Sequence, residues 1–130
     1  MSKRKIIVAI TGASGAIYAV KLLERLRGLP ATGTLQDDHP TGQAGQANHL
    51  PQPPAEVAVI LTGNAEEIML YETGSGYTPS GTEKLWNNRD FNAPFASGSS
   101  SYDTMIICPA SMGMVGRIAH GVSDDLITRA

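Results

Sequence analysis

The chain opens with the feature that most restricts its fold, a short apolar run followed by a glycine-rich turn and an amphipathic segment. Residues 5–10 are continuous and largely β-branched, which is typical of a strand buried on both faces. Residues 11–16 read Thr-Gly-Ala-Ser-Gly-Ala. Apolar residues then recur at spacings of three and four until Gly28 and Pro30, which predicts a helix that stops there. This order predicts a strand and a helix joined by a turn that is suited to binding phosphate, because glycines let the free N–H groups of a helix N-terminus approach an anion.

Two later apolar runs predict further buried strands, at residues 56–61 and 104–108. Helical patterns follow each of them, at residues 65–71 and 110–120, and residues 124–130 have the pattern of another helix beginning. Strands that alternate with helices in this way predict an α/β fold with a parallel sheet and right-handed crossovers.

Two segments lack this patterning. Residues 28–55 are rich in proline and glycine and poor in apolar residues, and we interpret them as an insertion loop within a single domain that spans residues 1–130. Residues 73–101 are rich in Gly, Ser, Pro and Asn, and we expect mostly loop there.

Three segments are expected to meet at one edge of the sheet, because a parallel sheet of this kind binds ligands at the carboxyl ends of its strands. They are residues 11–16, 62–65 and 109–114. Ser14 adds a hydroxyl donor to the first of them. The sequence therefore predicts an anion-binding site at this edge, although a glycine-rich turn can also serve packing alone.

A dinucleotide-binding fold is the main alternative, and three features argue against it. The dinucleotide fingerprint has a third glycine where this chain has Tyr18, and an acidic residue after the second strand where this chain has Thr62. No Tyr-x-x-x-Lys pair is present for hydride chemistry. A mononucleotide is therefore the better predicted ligand.

Composition excludes several other classes. The net charge of −2 gives no electrostatic reason to expect nucleic acid as a partner. The single cysteine, Cys108, cannot form an internal disulfide and fits a cytoplasmic protein. No run approaches the roughly 18–20 apolar residues that a membrane-spanning helix requires.

Five segments, in order, resemble the flavin prenyltransferases of the UbiX type. The opening Thr-Gly-Ala-Ser-Gly-Ala-Ile-Tyr is similar to the start of that family. The other four similar segments are Tyr71-Glu72-Thr73-Gly74, residues 90–99 with Ala-Pro-Phe-Ala-Ser-Gly-Ser, residues 105–113 with Cys-Pro-Ala-Ser, and Asp125-Leu126-Ile127-Thr128-Arg129-Ala130. The resemblance covers about residues 3–27 and 57–130.

The resemblance implies a three-layer Rossmann or flavodoxin-like sandwich with a parallel sheet, assembled as a homo-oligomer that is commonly a dodecamer. It implies FMN as the cofactor and no metal. The implied reaction moves a dimethylallyl group from dimethylallyl phosphate onto reduced FMN. Prenylated FMN, the product, then serves a UbiD-type decarboxylase, and the implied process is ubiquinone biosynthesis.

The resemblance also implies roles for particular residues. Gly12, Ala13 and Ser14 are expected to line the FMN site, Thr62 to contact the flavin phosphate or ribityl chain, and Ser111, Met112, Gly113 and Met114 to wrap the flavin near its ring. Ser14 and Glu72 are the implied catalytic residues. Glu72 could instead be a solvent-exposed carboxylate at a helix end, and Ser111 could cap the helix after Pro109 while also contacting flavin.

The family pattern continues beyond Ala130 and includes there the basic residues that grip the prenyl phosphate. We therefore expect the substrate phosphate to find no cationic partner within residues 1–130. Two other functions remain open, a related FMN-dependent cysteine decarboxylase and a non-catalytic FMN-binding fragment. The first should carry a catalytic histidine after the first helix, and His39 and His49 lie there without a recognisable motif.

Overall fold

The computed structural model describes residues 4–27, 55–80 and 83–130, so the expected insertion loop lies outside the described residues except for residue 55. Four strands form one sheet in the order β3-β2-β1-β4, and every neighbouring pair is parallel. The predicted α/β fold with a parallel sheet is confirmed. In chain order the elements are β1 (Lys5–Ile10), α1 (Ala16–Arg27), β2 (Glu56–Leu61), α2 (Ala65–Thr73), β3 (Lys84–Asn87), β4 (Thr104–Ile107), α3 (Met112–Ala119) and α4 (Leu126–Arg129).

β1 and β2 direct apolar side chains alternately to the two faces of the sheet. Both faces therefore need a covering layer, and the structure provides one on each side. One face packs against α1 and α2 through Ala16, Ala19, Leu23, Ala65 and Met69. The other face packs against the segment after β3, α3 and α4 through Ala93, Phe95, Met114, Leu126 and Ile127. The three-layer arrangement predicted for this family is therefore present. No helix within the described ranges is long and apolar enough to cross a bilayer.

Residues 73–101 are mostly loop in their described part, as the composition suggested, but they also contain the strand β3. β3 is a short strand at the edge of the described sheet that pairs with β2 alone. Only Trp86 of its four residues is half-buried, and the other three are exposed. An edge strand with so little buried surface does not need the apolar run by which a central strand is recognised.

The region from β4 to α3 also differs from expectation in its burial. β4 ends at Ile107 and is half-buried along its length, since among the described strands it pairs only with β1. Three apolar residues of α3 are exposed to solvent, Met112, Val115 and Ile118. Met114 is the residue of α3 that enters the core, with 4% of its surface exposed.

Candidate functional site

A cavity of about 610 Å³ opens at the carboxyl ends of β1, β2 and β3, where a parallel sheet is expected to bind its ligand. Its volume falls within the range of roughly 300–1,000 Å³ that is usual for small-molecule sites. The lining consists mainly of hydroxyl, amide and glycine residues, with two arginines and one carboxylate. These residues are Thr11, Gly12, Thr62, Gly63, Asn64, Asn87, Asn88, Arg89, Ser111, Gly113, Met114, Arg117 and Asp125.

Thr11 joins the end of β1 to the turn before α3. Its hydroxyl donates to the carbonyl of Pro109 at 2.6 Å and accepts from the N–H of Ser111 at 2.9 Å. Its own N–H also donates to the Pro109 carbonyl. Because Thr11 is only 3% exposed, these bonds are shielded from water and hold Gly12 beside Ser111 at the rim of the cavity.

Ser111 is the N-cap of α3, and its hydroxyl oxygen accepts from the N–H of Met114 at 3.2 Å. The sequence allowed this capping role alongside a flavin contact, and the structure shows the cap. A Cβ added to Gly113 would have no atom within 4 Å, so the first turn of α3 opens onto free space. The start of α3 is therefore accessible to a ligand.

Gly12 lies directly against the side chain of Asn64. A Cβ at Gly12 would overlap the Asn64 amide, so only glycine leaves that amide in place. The hydroxyl of Thr62 donates to the Asn64 side-chain oxygen at 3.3 Å. The turns after β1 and β2 thus meet through Gly12, Thr62 and Asn64, all of which line the cavity.

The opposite wall is a buried polar network centred on Asp125, which is 2% exposed. Its carboxylate accepts from the Asn88 amide at 3.0 Å and from the Thr128 N–H at 2.9 Å, and it pairs with Arg117 at 3.0 Å. Burial raises the pKa of Asp125, but the bonds from Thr128, Arg117 and Asn88 outweigh it and leave the pKa below its ordinary value. Asp125 is therefore ionised at neutral pH and neutralises Arg117.

A second polar cluster lies at the N-terminus of α1, where the sequence predicted a phosphate. The Glu72 carboxylate accepts from the N–H of Gly15 at 2.9 Å and from the N–H of Ala16 at 2.8 Å. A hydrogen bond from the Ser14 hydroxyl, followed by those two backbone bonds, lowers the pKa of Glu72. The N–H groups of Gly15 and Ala16 are thus already bound to a carboxylate of the protein itself.

The residues predicted for the site divide between these two places. Gly12, Thr62, Ser111, Gly113 and Met114 line the cavity. Ser14 and Glu72 form the cluster at α1, while Ala13 and Met112 are outside the cavity lining and Met112 is 82% exposed. Glu72 is exposed, as the alternative interpretation of a carboxylate at a helix end expected, but it is hydrogen-bonded there.

Sequence reasoning missed the part of the cavity that follows β3 and α3. Asn87, Asn88 and Arg89 come directly after a strand that the composition did not reveal, and Asn64, Arg117 and Asp125 were not singled out. The sequence led us to expect no cationic partner for the substrate phosphate within residues 1–130, yet Arg89 and Arg117 line the cavity. The pair of asparagines followed by arginine could have indicated a polar site only if β3 had been recognised as a strand that ends there. Within the described ranges, no group of three His, Cys, Asp or Glu residues could hold a metal ion.

Replacing Glu72 by Gln should lower the melting temperature at pH 7 by a few degrees, because the carboxylate at the α1 N-terminus loses its charge. Since folding lowers the Glu72 pKa, the carboxylate stabilises the fold above the ordinary value of 4.5 and ceases to do so as the pH falls through the lowered value. Thermal unfolding of the wild type and E72Q at pH 7 and below pH 4 measures this. The difference should shrink in acid.

Glu67→Gln is the matched control for this prediction, because Glu67 is exposed on the same helix and its carboxylate makes no hydrogen bond to the described residues. E67Q should change the melting temperature less than E72Q at pH 7. Equal effects would show that the contact with Gly15 and Ala16 does not stabilise the turn.

The fold and the cavity define a Rossmann-like α/β domain with a polar ligand site at the carboxyl edge of its sheet. Comparison with known proteins narrows this class. The model of the Flavoprotein family matches residues 46–130, and the chain belongs to that family.

Curated relatives carry a common description. The chain is 34% identical to the flavin prenyltransferase UbiX of Thermoplasma acidophilum, covering 97% of this chain and 57% of the relative. It is 35% identical to the flavin prenyltransferase UbiX of Methanocaldococcus jannaschii, covering 96% of this chain and 55% of the relative. The chain thus spans little more than half the length of these relatives.

Solved structures of UbiX and UbiX-like proteins also superpose on this chain. A crystal structure of AnUbiX (PadA1) in complex with FMN and dimethylallyl pyrophosphate superposes with a TM-score of 0.71 at 32% identity, covering 98% of this chain and 56% of that one. A dodecameric FMN-dependent UbiX-like decarboxylase from Escherichia coli O157:H7 superposes with a TM-score of 0.69 at 27% identity, covering 96% of this chain and 57% of that one.

Proposed function

We propose that this chain forms the FMN-binding part of a flavin prenyltransferase, which transfers a dimethylallyl group from its phosphate ester to reduced FMN. One observation carries the proposal. Five of the residues that the resemblance assigns to FMN, Gly12, Thr62, Ser111, Gly113 and Met114, converge on a single cavity from three different turns. The named activity of the relatives supports the same function.

The residues of the cavity suit a flavin mononucleotide. Amide and hydroxyl groups on Asn64, Asn88 and Thr62 can bond to the ribityl hydroxyls and to the ring edge. The Cβ position of Gly63 is as open as that of Gly113, so a flat ring can approach the backbone closely. Met114 offers an apolar contact for the ring from the floor of the site.

When bound and reduced, FMN supplies the nucleophilic ring atoms for prenyl transfer. The chain's own contribution is to hold and move protons, and we assign that role to Ser14 and Glu72. The Ser14 hydroxyl is hydrogen-bonded to a carboxylate that is ionised at neutral pH. With reduced FMN bound, that carboxylate would receive, through the hydroxyl, the proton that the ring nitrogen loses as it forms the new bond.

Finer attributes belong to the same proposal. We expect the whole protein to act as a cytoplasmic homo-oligomer, a dodecamer, and its prenylated FMN to be used by a UbiD-type decarboxylase, in ubiquinone biosynthesis. The dodecameric UbiX-like structure from Escherichia coli supports the oligomer. The exposed apolar residues of α3, Met112, Val115 and Ile118, offer surface that an assembly would bury.

An FMN titration of the purified chain, followed by the flavin absorption band and fluorescence, tests the proposal. The wild type should bind FMN, and Gly12→Ala should raise the dissociation constant about tenfold or more, because the new methyl group displaces the Asn64 amide into the cavity. Addition of dimethylallyl phosphate to the reduced complex, with mass spectrometry of the flavin, then tests for transfer.

Gly98→Ala is the matched control, since a Cβ there meets no atom within 4 Å and Gly98 is away from the cavity. G98A should bind FMN like the wild type. A wild-type chain that is folded by circular dichroism yet binds no FMN would contradict the proposed cofactor site.

A further inference from the structure

Two N–H groups of the glycine-rich turn are already engaged in this structure. The N–H groups of Gly15 and Ala16, which a phosphate would use at the start of α1, both donate to the carboxylate of Glu72. That carboxylate places negative charge where a second anion would have to bind. A phosphate in the main cavity therefore needs partners other than the N–H groups of Gly15 and Ala16.

Two arginines line the cavity, and they differ in the ion pairs that they form with carboxylates. Arg117 pairs with Asp124 and with Asp125, so its charge is balanced by two carboxylates. Arg89 forms no ion pair with a carboxylate in the part of the chain that the structure describes. Its guanidinium donates one long hydrogen bond of 3.4 Å, from Nη1 to the carbonyl oxygen of Asp124.

Local structure fixes where Arg89 leaves the sheet. Its backbone N–H donates to the side-chain oxygen of Asn87 at 2.9 Å, which forms a tight turn directly after β3. Asn88, the residue before it, is 8% exposed and bonds to both Asp125 and the N–H of Ile127. The backbone that leads to Arg89 is thus held in place, while its side chain remains exposed at the cavity rim.

We propose that Arg89 binds a phosphate monoester in the main cavity, through charge-assisted hydrogen bonds from its guanidinium. This inference rests on the proposed function and adds to it the residue that recognises the phosphate. A guanidinium matches two phosphate oxygens at once, which makes it a selective partner for this group. The phosphate is that of FMN or that of the dimethylallyl ester, and the two sources are separable by experiment.

The experiment compares the wild type with Arg89→Gln in two titrations. In the first, FMN and riboflavin are titrated into each protein, since riboflavin differs from FMN in lacking the phosphate. In the second, dimethylallyl phosphate is titrated into the FMN-loaded proteins. Arg25→Gln is the matched control, because Arg25 is exposed on α1 and does not line the cavity.

If Arg89 holds the FMN phosphate, R89Q should raise the dissociation constant for FMN about 10- to 100-fold and leave riboflavin binding unchanged. If Arg89 holds the phosphate of the ester instead, R89Q should raise the dissociation constant for dimethylallyl phosphate in the second titration. R25Q should change neither dissociation constant. Arg89→Lys should recover part of the affinity, because lysine restores the positive charge but not the paired N–H donors of the guanidinium.

Two results would overturn the inference. One is an R89Q protein that binds FMN and dimethylallyl phosphate as the wild type does. The other is an equal loss of FMN and riboflavin affinity, which would mean that Arg89 shapes the cavity rather than recognising phosphate. A folded wild type that binds neither flavin would instead refute the proposed function, so the two failures are distinguishable.

Discussion

Phe95→Ala is expected to lower the free energy of unfolding by about 3–5 kcal/mol, the loss that is usual for truncating a fully buried phenylalanine. Phe95 is 0% exposed and packs edge-on against Trp86 and Tyr102, with ring centroids 5.8 and 4.8 Å away. Because whole domains are stable by only about 5–15 kcal/mol, this single change removes a large share of the total.

Urea denaturation measures the effect of F95A directly. Trp86 is the chain's single tryptophan, so its fluorescence reports on the layer that Phe95 fills, and circular dichroism gives an independent probe. Phe91→Ala is the matched control, since Phe91 is 44% exposed and stacks with Arg129 at 4.8 Å. F91A should lose about 1 kcal/mol or less. Equal losses in the two variants would contradict the assigned core position of Phe95.

Asp125→Ala is expected to lower the free energy of unfolding by about 2–4 kcal/mol. The change removes the N-cap of α4 and leaves the buried amide of Asn88 and the guanidinium of Arg117 short of a partner. Asp124→Ala is the control, because Asp124 pairs with the same arginine but its side chain is 59% exposed. D124A should lose about 1 kcal/mol or less.

The effect of Asp125→Ala should also depend on pH in a definite direction. Folding lowers the Asp125 pKa, so its carboxylate contributes stability above the ordinary value of 3.8 and loses that contribution as the pH falls through the lowered value. Urea midpoints measured at pH 7 and pH 3 should therefore differ less between D125A and the wild type in acid. A constant difference across this range would mean that the lost stability comes from packing, not from charge.

The sequence predicted best the strands that are buried on both faces of the sheet. β1 and β2 are covered on both faces, so their apolar runs predicted their bounds, and the turn after each of them lies at the edge of the sheet where the cavity opens. The sequence allowed Ser111 as a cap because serine is favoured at helix N-termini, and the structure shows the cap. Such local patterns are sufficient to place half of the cavity.

The other half depends on contacts between residues that are distant in sequence. Phe95 is buried, although it comes from a segment whose composition is that of a loop. In the sequence, Asp125 cannot be told from an ordinary helix cap. Its bonds to Asn88 and Arg117 arise only from the packing of α4 in the folded chain. Likewise, no property of Gly15 or Ala16 indicates that their N–H groups are bound to Glu72, which is 57 residues from Gly15. Sequence predicts which groups can bind an anion, but tertiary packing decides which of them remain available.

The bonds of Thr11 with Pro109 and Ser111 bear on the order in which the chain folds during synthesis. They join residues 98 and 100 positions apart, so the cavity rim cannot close until most of the chain has left the ribosome. β1, α1 and β2 can assemble earlier, since they need only the first half of the chain. A nascent chain stalled before β4 should therefore have no ligand site, and its β1 would still lack one of its two neighbouring strands.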